Sequence, residues 1–277
     1  MVAKVLTQYL AAFGYRLLVR VLAICLLDGE FEMSLTEGFS RITLRGADAE
    51  KFLVGQVTVD VTKLDGEHYQ ATAICDLKGR VHFGIWLKRY SSDSIEVVIA
   101  NDQVDALQAH IKKYGAFSKF TLDAAQTIYL AIEDNKTTFS HTDQGVSLEQ
   151  WQHTAVTQGQ AWISARTSGL FQPQELRLHQ RGGVNYDKGC YLGQEIIARL
   201  WFRANPKQWL HLIAGTGNTP VAGQKLDHDI DVVNAVADSG ADGWQALVIA
   251  RPSKIEESEY QILDLPEGLN GSVAREK

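Results

Sequence analysis

Residues 188–195 read Lys-Gly-Cys-Tyr-Leu-Gly-Gln-Glu and run directly into Ile196, Ile197 and Ala198. Asn185, Asp187 and Gly189 are turn formers, so the pattern predicts a turn followed by a helix beginning at Cys190 or Tyr191. A thiol at that place feels the positive end of the helix dipole and the neighbouring Lys188 ammonium, and both favour the thiolate. Gly193 in a first turn costs helix stability, which marks a position where backbones approach closely. Gln194 and Glu195 fall in the same turn, where a carboxylate complements the dipole. The alternative is an ordinary buried cysteine, and the residues alone leave both readings open.

The surroundings of the octamer are basic. Residues 175–210 hold Arg177, Arg181, Lys188, Arg199, Arg203 and Lys207 against Glu175, Asp187 and Glu195. They form either an anion-binding site or a solvated helix face. The whole chain of 277 residues carries a net charge of −6, which argues against coating nucleic acid by bulk electrostatics. Its 45% hydrophobic and 22% charged residues are those of an ordinary globular protein. Cys25, Cys75 and Cys190 form no CxxC pair, which excludes a zinc ribbon or a dithiol redox motif and suits a reducing cytosol. A four-thiolate iron–sulfur cluster is also beyond one chain with three cysteines.

Residues 1–32 stand apart. Their apolar run Val21–Leu27 is far shorter than the roughly 20 residues a membrane span needs, and no signal-peptide cleavage pattern follows. Gly29-Glu30 back-translates to a ribosome-binding-like stretch just before Met33, so the expected native start is Met33. Residues 4–27, if present, are expected to form an amphipathic helix.

From residue 33 to 205 short strands alternate with helices. Strands are expected at Ser40–Leu44, His68–Cys75, Val81–Leu87, Ser94–Ala100, Lys119–Leu122 and Thr127–Ile132. Helices are expected at Asp48–Val54 and from Asn101-Asp102 to about Lys113. Antiparallel pairs mixed with helices predict an α+β fold, not a doubly wound parallel sheet. Residues 206–277 carry the short runs Trp209–Ala214, Gln245–Ala250 and Tyr260–Leu265, which predict a small β-barrel. Asp227, Asp229 and Asp231 imitate the start of a calcium loop, but Val232 occupies its glycine position and a solvated strand edge is the expectation. No HExxH, GxSxG or GxxxxGK[ST] motif occurs.

Lys188-Gly189-Cys190-Tyr191-x-Gly193-Gln194-Glu195 resembles the signature of the YgfZ family of folate-binding proteins, relatives of the glycine cleavage T-protein, an aminomethyltransferase. Further matching segments follow in order: Gly46-Ala47-Asp48, Gly55-Gln56-Val57-Thr58-x-Asp60-Val61, Cys75-Asp76-x-Lys78-Gly79, Lys112-Lys113-Tyr114-x-x-Phe117-Ser118-Lys119, Gly169-x-Phe171-x-Pro173-Gln174 and Ala198-Arg199. The resemblance covers about Ser40 to Trp209.

The resemblance implies intertwined antiparallel α/β lobes with a C-terminal barrel, and tetrahydrofolate or a one-carbon derivative as the bound cofactor. It implies a cytoplasmic role in maintaining iron–sulfur enzymes, such as the radical enzymes that modify tRNA, with no direct nucleic-acid or membrane contact. Family folate contacts fall on Trp151 and Phe39, whose rings are able to stack on a pterin, although Trp151 also reads as plain core. Cys190 with Lys188 is the implied reactive centre. Where the family often carries a glutamate, this chain reads Val156-Thr157-Gln158-Gly159, and no general base is evident. That departure favours an accessory protein over a folate-dependent one-carbon transferase. An interaction module with a structural Cys190 is the third alternative.

Overall fold

Period-two burial organises the first half of the chain. The computed structural model describes residues 37–238 and 242–275. The chain divides into two units, Met1–Gly38 and Phe39–Lys277, and the elements below belong to the second. The expected helix over residues 4–27, Cys25 and the Met33 start lie outside the described residues.

In chain order the first elements are β1 (Phe39–Arg45), α1 (Ala49–Val54), β2 (Gln70–Cys75), β3 (Val81–Ser91), β4 (Ser94–Ala100), α2 (Val104–Tyr114), β5 (Thr121–Leu122) and β6 (Gln126–Thr127). They make one antiparallel sheet of order β2-β3-β4-β1-β5, with β6 also on β1. Phe39 lies opposite Ala100 and Arg45 opposite Ser94. Successive side chains of a strand point to opposite faces. Ile42, Leu44, Ile85, Leu87, Ile95, Val97 and Ile99 therefore bury against Phe52 and Leu53 of α1 and Leu107 and Ile111 of α2.

The opposite face carries Phe39, Trp86, Val98 and Ala100. It is covered by the hairpin β7 (Tyr129–Glu133) and β8 (Lys136–Ser140) and by α3 (Leu148–Thr157), which contribute Phe139, Trp151 and Ala155. A capping box starts α3: the Gln150 N–H donates to Ser147 Oγ at 3.1 Å, and the Ser147 N–H donates to Gln150 Oε1 at 2.9 Å. A sheet covered on both sides explains strands such as Ser94–Ala100 that are nearly apolar throughout.

After an irregular stretch come α4 (Gln194–Phe202), β9 (Trp209–Thr216), β10 (Lys225–Leu226), β11 (Ile230–Ala237), β12 (Gly243–Ala250), α5 (Pro252–Glu256) and β13 (Gln261–Leu263). The strands form an antiparallel sheet of order β10-β11-β12-β9-β13. Where a closed barrel was expected, the described residues give an open sheet whose edge strands β10 and β13 do not pair. The sequence reading also omits β11. A bulge between Val232 and Asn234 shifts its alternation, so that Ile230, Val232 and Ala235 share one core cluster and Val233 and Val236 the other. Asn234 uses the irregularity: it accepts from the Trp162 N–H at 3.0 Å and donates to the Trp162 carbonyl at 2.9 Å. Lys225 pairs with Asp229 at 3.4 Å and Asp231 at 3.8 Å on this exposed edge.

One buried cluster joins the two sheets. Ala73, Cys75 and Val81 of the first pack with Leu210, Leu212, Val233, Leu247 and Ile249 of the second, together with Tyr191 and Ile197 from the octamer and its helix.

Candidate functional site

The octamer is held by backbone and by one cation. The Asp187 N–H donates to Asn185 Oδ1 at 2.8 Å, closing the turn, and the Asn185 N–H donates to the Thr58 carbonyl at 2.8 Å. Lys188 then reaches inward. Its Nζ donates to the carbonyl oxygens of Val54 at 2.8 Å, Val57 at 2.7 Å and Val59 at 2.9 Å, with the Tyr191 ring centroid 4.8 Å away. Burial lowers its pKa from 10.5 to about 8, so it remains an ammonium at neutral pH. An ammonium has three donors. All three are spent on carbonyls.

The helix also starts later than expected. Cys190 is exposed, and α4 begins four residues beyond it, with Gly193 as N-cap at φ 80° and Glu195 in its first turn. The thiol therefore sits on the approach to the helix and not in its first turn. Gly193 lies against the Cys75–Gly79 turn: a Cβ there would fall 2.4 Å from the Asp76 carbonyl oxygen and 3.2 Å from Cys75 Cβ. Tyr191 is buried, Gly189 has open space around it, and Gln194 is partly buried. Gln174 fixes the helix by donating to the Ile197 carbonyl at 2.9 Å. Cys75, by contrast, is buried, and burial with the nearby Asp76 charge pushes its thiol pKa up.

The basic residues do not form one patch. Arg199, Arg203 and Lys207 are exposed, whereas Arg177 is buried and bonds the carbonyls of Leu210 at 2.9 Å and Gly271 at 2.8 Å. Arg181 faces a different place, a cavity of about 610 Å³ between the β7–β8 hairpin, the start of β2 and the segment Pro266–Leu269. Its guanidinium donates to the Gln158 carbonyl at 2.9 Å and to Gln160 Oε1 at 3.2 Å. Among the described residues no carboxylate pairs with it, and burial lowers its pKa.

Trp86 also lines this cavity, and its indole N–H is buried without a partner, as is the hydroxyl of Thr137 in the same wall. Trp151 and Phe39 lie behind it. Trp151 is fully buried, donates its indole N–H to the Thr138 carbonyl at 3.0 Å, and stands edge-on to Trp86 at 6.1 Å between centroids. Phe39 contacts both indoles, at 5.4 Å from Trp86 and 4.7 Å from Trp151. Trp151 and Phe39, expected as stacking faces, are both buried in this structure. With no exposed surface Trp151 offers a ligand no ring face here, and Trp86 is the indole that lines the cavity. The sequence reading passed over Trp86 because it stands in a strand whose alternate residues are apolar, where an indole reads as core.

The chain is 29% identical to the tRNA-modifying protein YgfZ of Escherichia coli O157:H7 (strain EC4115 / EHEC), over 67% of this chain and 72% of the relative. The chain is similar to YgfZ. The tRNA-modifying protein YgfZ of Shigella dysenteriae serotype 1 (strain Sd197) matches at 28% identity over the same shares. No protein-family model matches the chain. Among solved structures, the aminomethyltransferase T of the glycine cleavage system from Bartonella henselae superposes with a TM-score of 0.60 at 12% identity, covering 79% of this chain and 77% of that one. That likeness establishes the fold: a mixed α/β arrangement with antiparallel sheets, as the YgfZ resemblance implied. Among the described residues no helix is long and apolar enough to cross a membrane.

Proposed function

We propose that this chain is a cytoplasmic tetrahydrofolate-binding protein that supports tRNA modification by maintaining iron–sulfur enzymes, with Cys190 as its reactive group. The observation that carries the folate reading is the cavity in which Trp86 and the acid-free Arg181 meet. Its size lies within the 300–1,000 Å³ usual for small-molecule sites. A pterin with a glutamate tail needs an aromatic wall, a few unspent polar groups and a cation for carboxylates. Trp86, which lines the cavity though only 4% of its surface is exposed, and Arg181 answer the first and last of those needs. Trp151 and Phe39 act on such a ligand through Trp86, by holding its ring.

The relatives named as tRNA-modifying support the second half of the reading. Tyr191 and Gly193, anchored in the core, present Cys190 to solvent, where a partner enzyme or an oxidant reaches it. Lys188 positions that loop. The test is calorimetric titration of tetrahydrofolate into wild type, Trp86→Phe and Arg181→Met, together with assay of tRNA methylthiolation in a deletion strain. Binding that is measurable in wild type and weakened in both variants is expected. No binding by folded wild-type protein would overturn the folate assignment.

A further inference from the structure

The turn that closes α2 holds an aromatic ring in solvent with nothing packed against it. Phe117 is fully exposed, and Tyr114 is half exposed. The chain around them reads Lys112-Lys113-Tyr114-Gly115-Ala116-Phe117-Ser118-Lys119, and Lys112, Lys113 and Lys119 are exposed. The turn is anchored on both sides of Phe117. The Gly115 N–H donates to the Ile111 carbonyl at 2.8 Å, and the Ser118 N–H donates to the Gly115 carbonyl at 2.9 Å. Asp48 Oδ2 accepts from the Lys119 N–H at 2.8 Å, and the Phe120 ring packs on Phe52 at 5.0 Å between centroids. A Cβ at Gly115 would fall 2.6 Å from Phe120 Cζ, so only glycine lets the turn fold back onto that ring. Phe117 is thus displayed by an ordered frame and contributes nothing to the core.

The charges around it are unspent. Among the described residues none of Lys112, Lys113 and Lys119 pairs with a carboxylate. Asp48 is engaged by the backbone N–H, and Glu50 pairs with Arg89 at 2.6 Å. The Lys113 ammonium lies 5.2 Å from the Tyr114 ring centroid. Free cations beside open π-faces suit a polyanion that itself carries flat rings. We propose that this turn binds single-stranded RNA, with unpaired bases stacking on Phe117 and Tyr114 and phosphates meeting the lysines. The Ser118 hydroxyl, next to Phe117, is placed to meet a ribose 2′-hydroxyl. A protein partner fits less well, because interface cores are depleted in lysine and bury roughly 800 Å² per side. Here a single ring stands among lysines and small residues. A net charge of −6 rules against coating by bulk electrostatics but not against a few local phosphate contacts. The site departs from the family expectation of no direct nucleic-acid contact. It also adjoins the octamer: His110, 4.5 Å from the Tyr114 ring, lies 2.9 Å from Gln56 Oε1, and the Leu192 N–H donates to the Gly55 carbonyl at 3.2 Å. The turn and the Cys190 loop therefore flank the same short segment. The proposal goes beyond the folate reading and does not rest on it.

Fluorescence anisotropy of labelled oligouridine with the full chain tests it. Affinity should fall about twentyfold between about 50 and 200 mM salt, as roughly three phosphate contacts require. Phe117→Ala, which removes a side chain that touches nothing in the fold, should weaken binding about fivefold or more. Lys112→Gln and Lys113→Gln should each flatten the salt slope by about 0.7. Tyr129→Ala, an exposed aromatic of β7 without flanking lysines, should bind like wild type. Oligodeoxyuridine, which lacks the 2′-hydroxyl, should bind less tightly, and parity with oligouridine overturns the RNA assignment. So does the absence of binding by folded wild type, or equal affinity in wild type and Phe117→Ala. Phosphatidylserine vesicles that capture the chain through Phe117 while oligouridine does not would assign the turn to a membrane surface. Loss of complementation in Phe117→Ala without any RNA binding would assign it to a protein partner. Either result overturns the proposal.

Discussion

The Lys188 ammonium lies 2.7 Å from the Val57 carbonyl oxygen, the shortest of three bonds by which one side chain ties residues 54–59 to the loop bearing Cys190. Lys188→Met leaves three carbonyls without a donor and should cost about 2 kcal/mol at neutral pH, after credit for removing a buried charge. The pH dependence has a definite sign. The folded pKa, about 8, is below the ordinary lysine value of 10.5, so unfolding takes up a proton between those values. Wild-type stability relative to Lys188→Met should rise across that window and stay level below it. Denaturant titrations of both proteins from neutral to alkaline pH read the difference directly.

Cys190 and Cys75 should separate by accessibility. Iodoacetamide is expected to label exposed Cys190 in the folded protein and to reach buried Cys75 only on unfolding. Cys190→Ser should abolish complementation of a deletion strain without lowering the melting temperature. Full complementation by that variant would remove the reactive-thiol assignment.

Gly193→Ala should be among the most damaging small changes in the chain. It places a Cβ 2.4 Å from a carbonyl oxygen at a φ of 80°, so both strain and clash arise. A loss of about 2–4 kcal/mol is expected, with faster alkylation of Cys190 as the octamer leaves the Cys75–Gly79 turn. Calorimetric melting and labelling rates on one preparation give both readouts.

Trp151 and Trp86 should differ in kind. Trp151→Ala empties a fully buried site and should cost about 3–5 kcal/mol of stability. Trp86→Phe keeps most of the volume and should reduce tetrahydrofolate affinity by roughly fivefold, about 1 kcal/mol. Trp244→Phe, in the second sheet, is the control and should leave affinity unchanged. Equal affinity in wild type and Trp86→Phe would move the site elsewhere.

His110, His179 and His211 should make the protein acid-sensitive. Burial lowers each pKa from 6.5 to about 4, so the fold holds them neutral. Their contribution to stability is complete above pH 6.5 and is lost as pH falls toward 4, because the unfolded chain binds the protons first. Denaturation midpoints should drop across that interval, and His110→Gln should make the drop shallower.

Much of the first sheet was legible because its strands are bounded by strong turn signals. Ser94–Ala100 matches its expected limits, β1 exceeds its own by one residue at each end, and α1 begins one residue later than expected. The missed elements have physical causes. The α3 signal, Ser147-x-x-Gln150, is a capping box with glutamine in place of glutamate, ahead of a helix only 10 residues long. β11 hides behind a bulge that breaks its alternation. At the site, spacing located the octamer but not the direction of Lys188, which is decided by carbonyls 129 to 134 residues away in sequence.

The buried cluster shared by the two sheets also governs the order of events during synthesis. Tyr191 and Ile197 pack against Leu210, Leu212, Leu247 and Ile249, all of which are translated after the octamer. A nascent chain released only as far as Asn205 therefore carries the complete octamer above an unfinished hydrophobic floor. Cys190 acquires its final setting when the last sheet closes over that floor, so a ribosome that stalls or stops early yields a chain holding every residue of the motif without its anchorage.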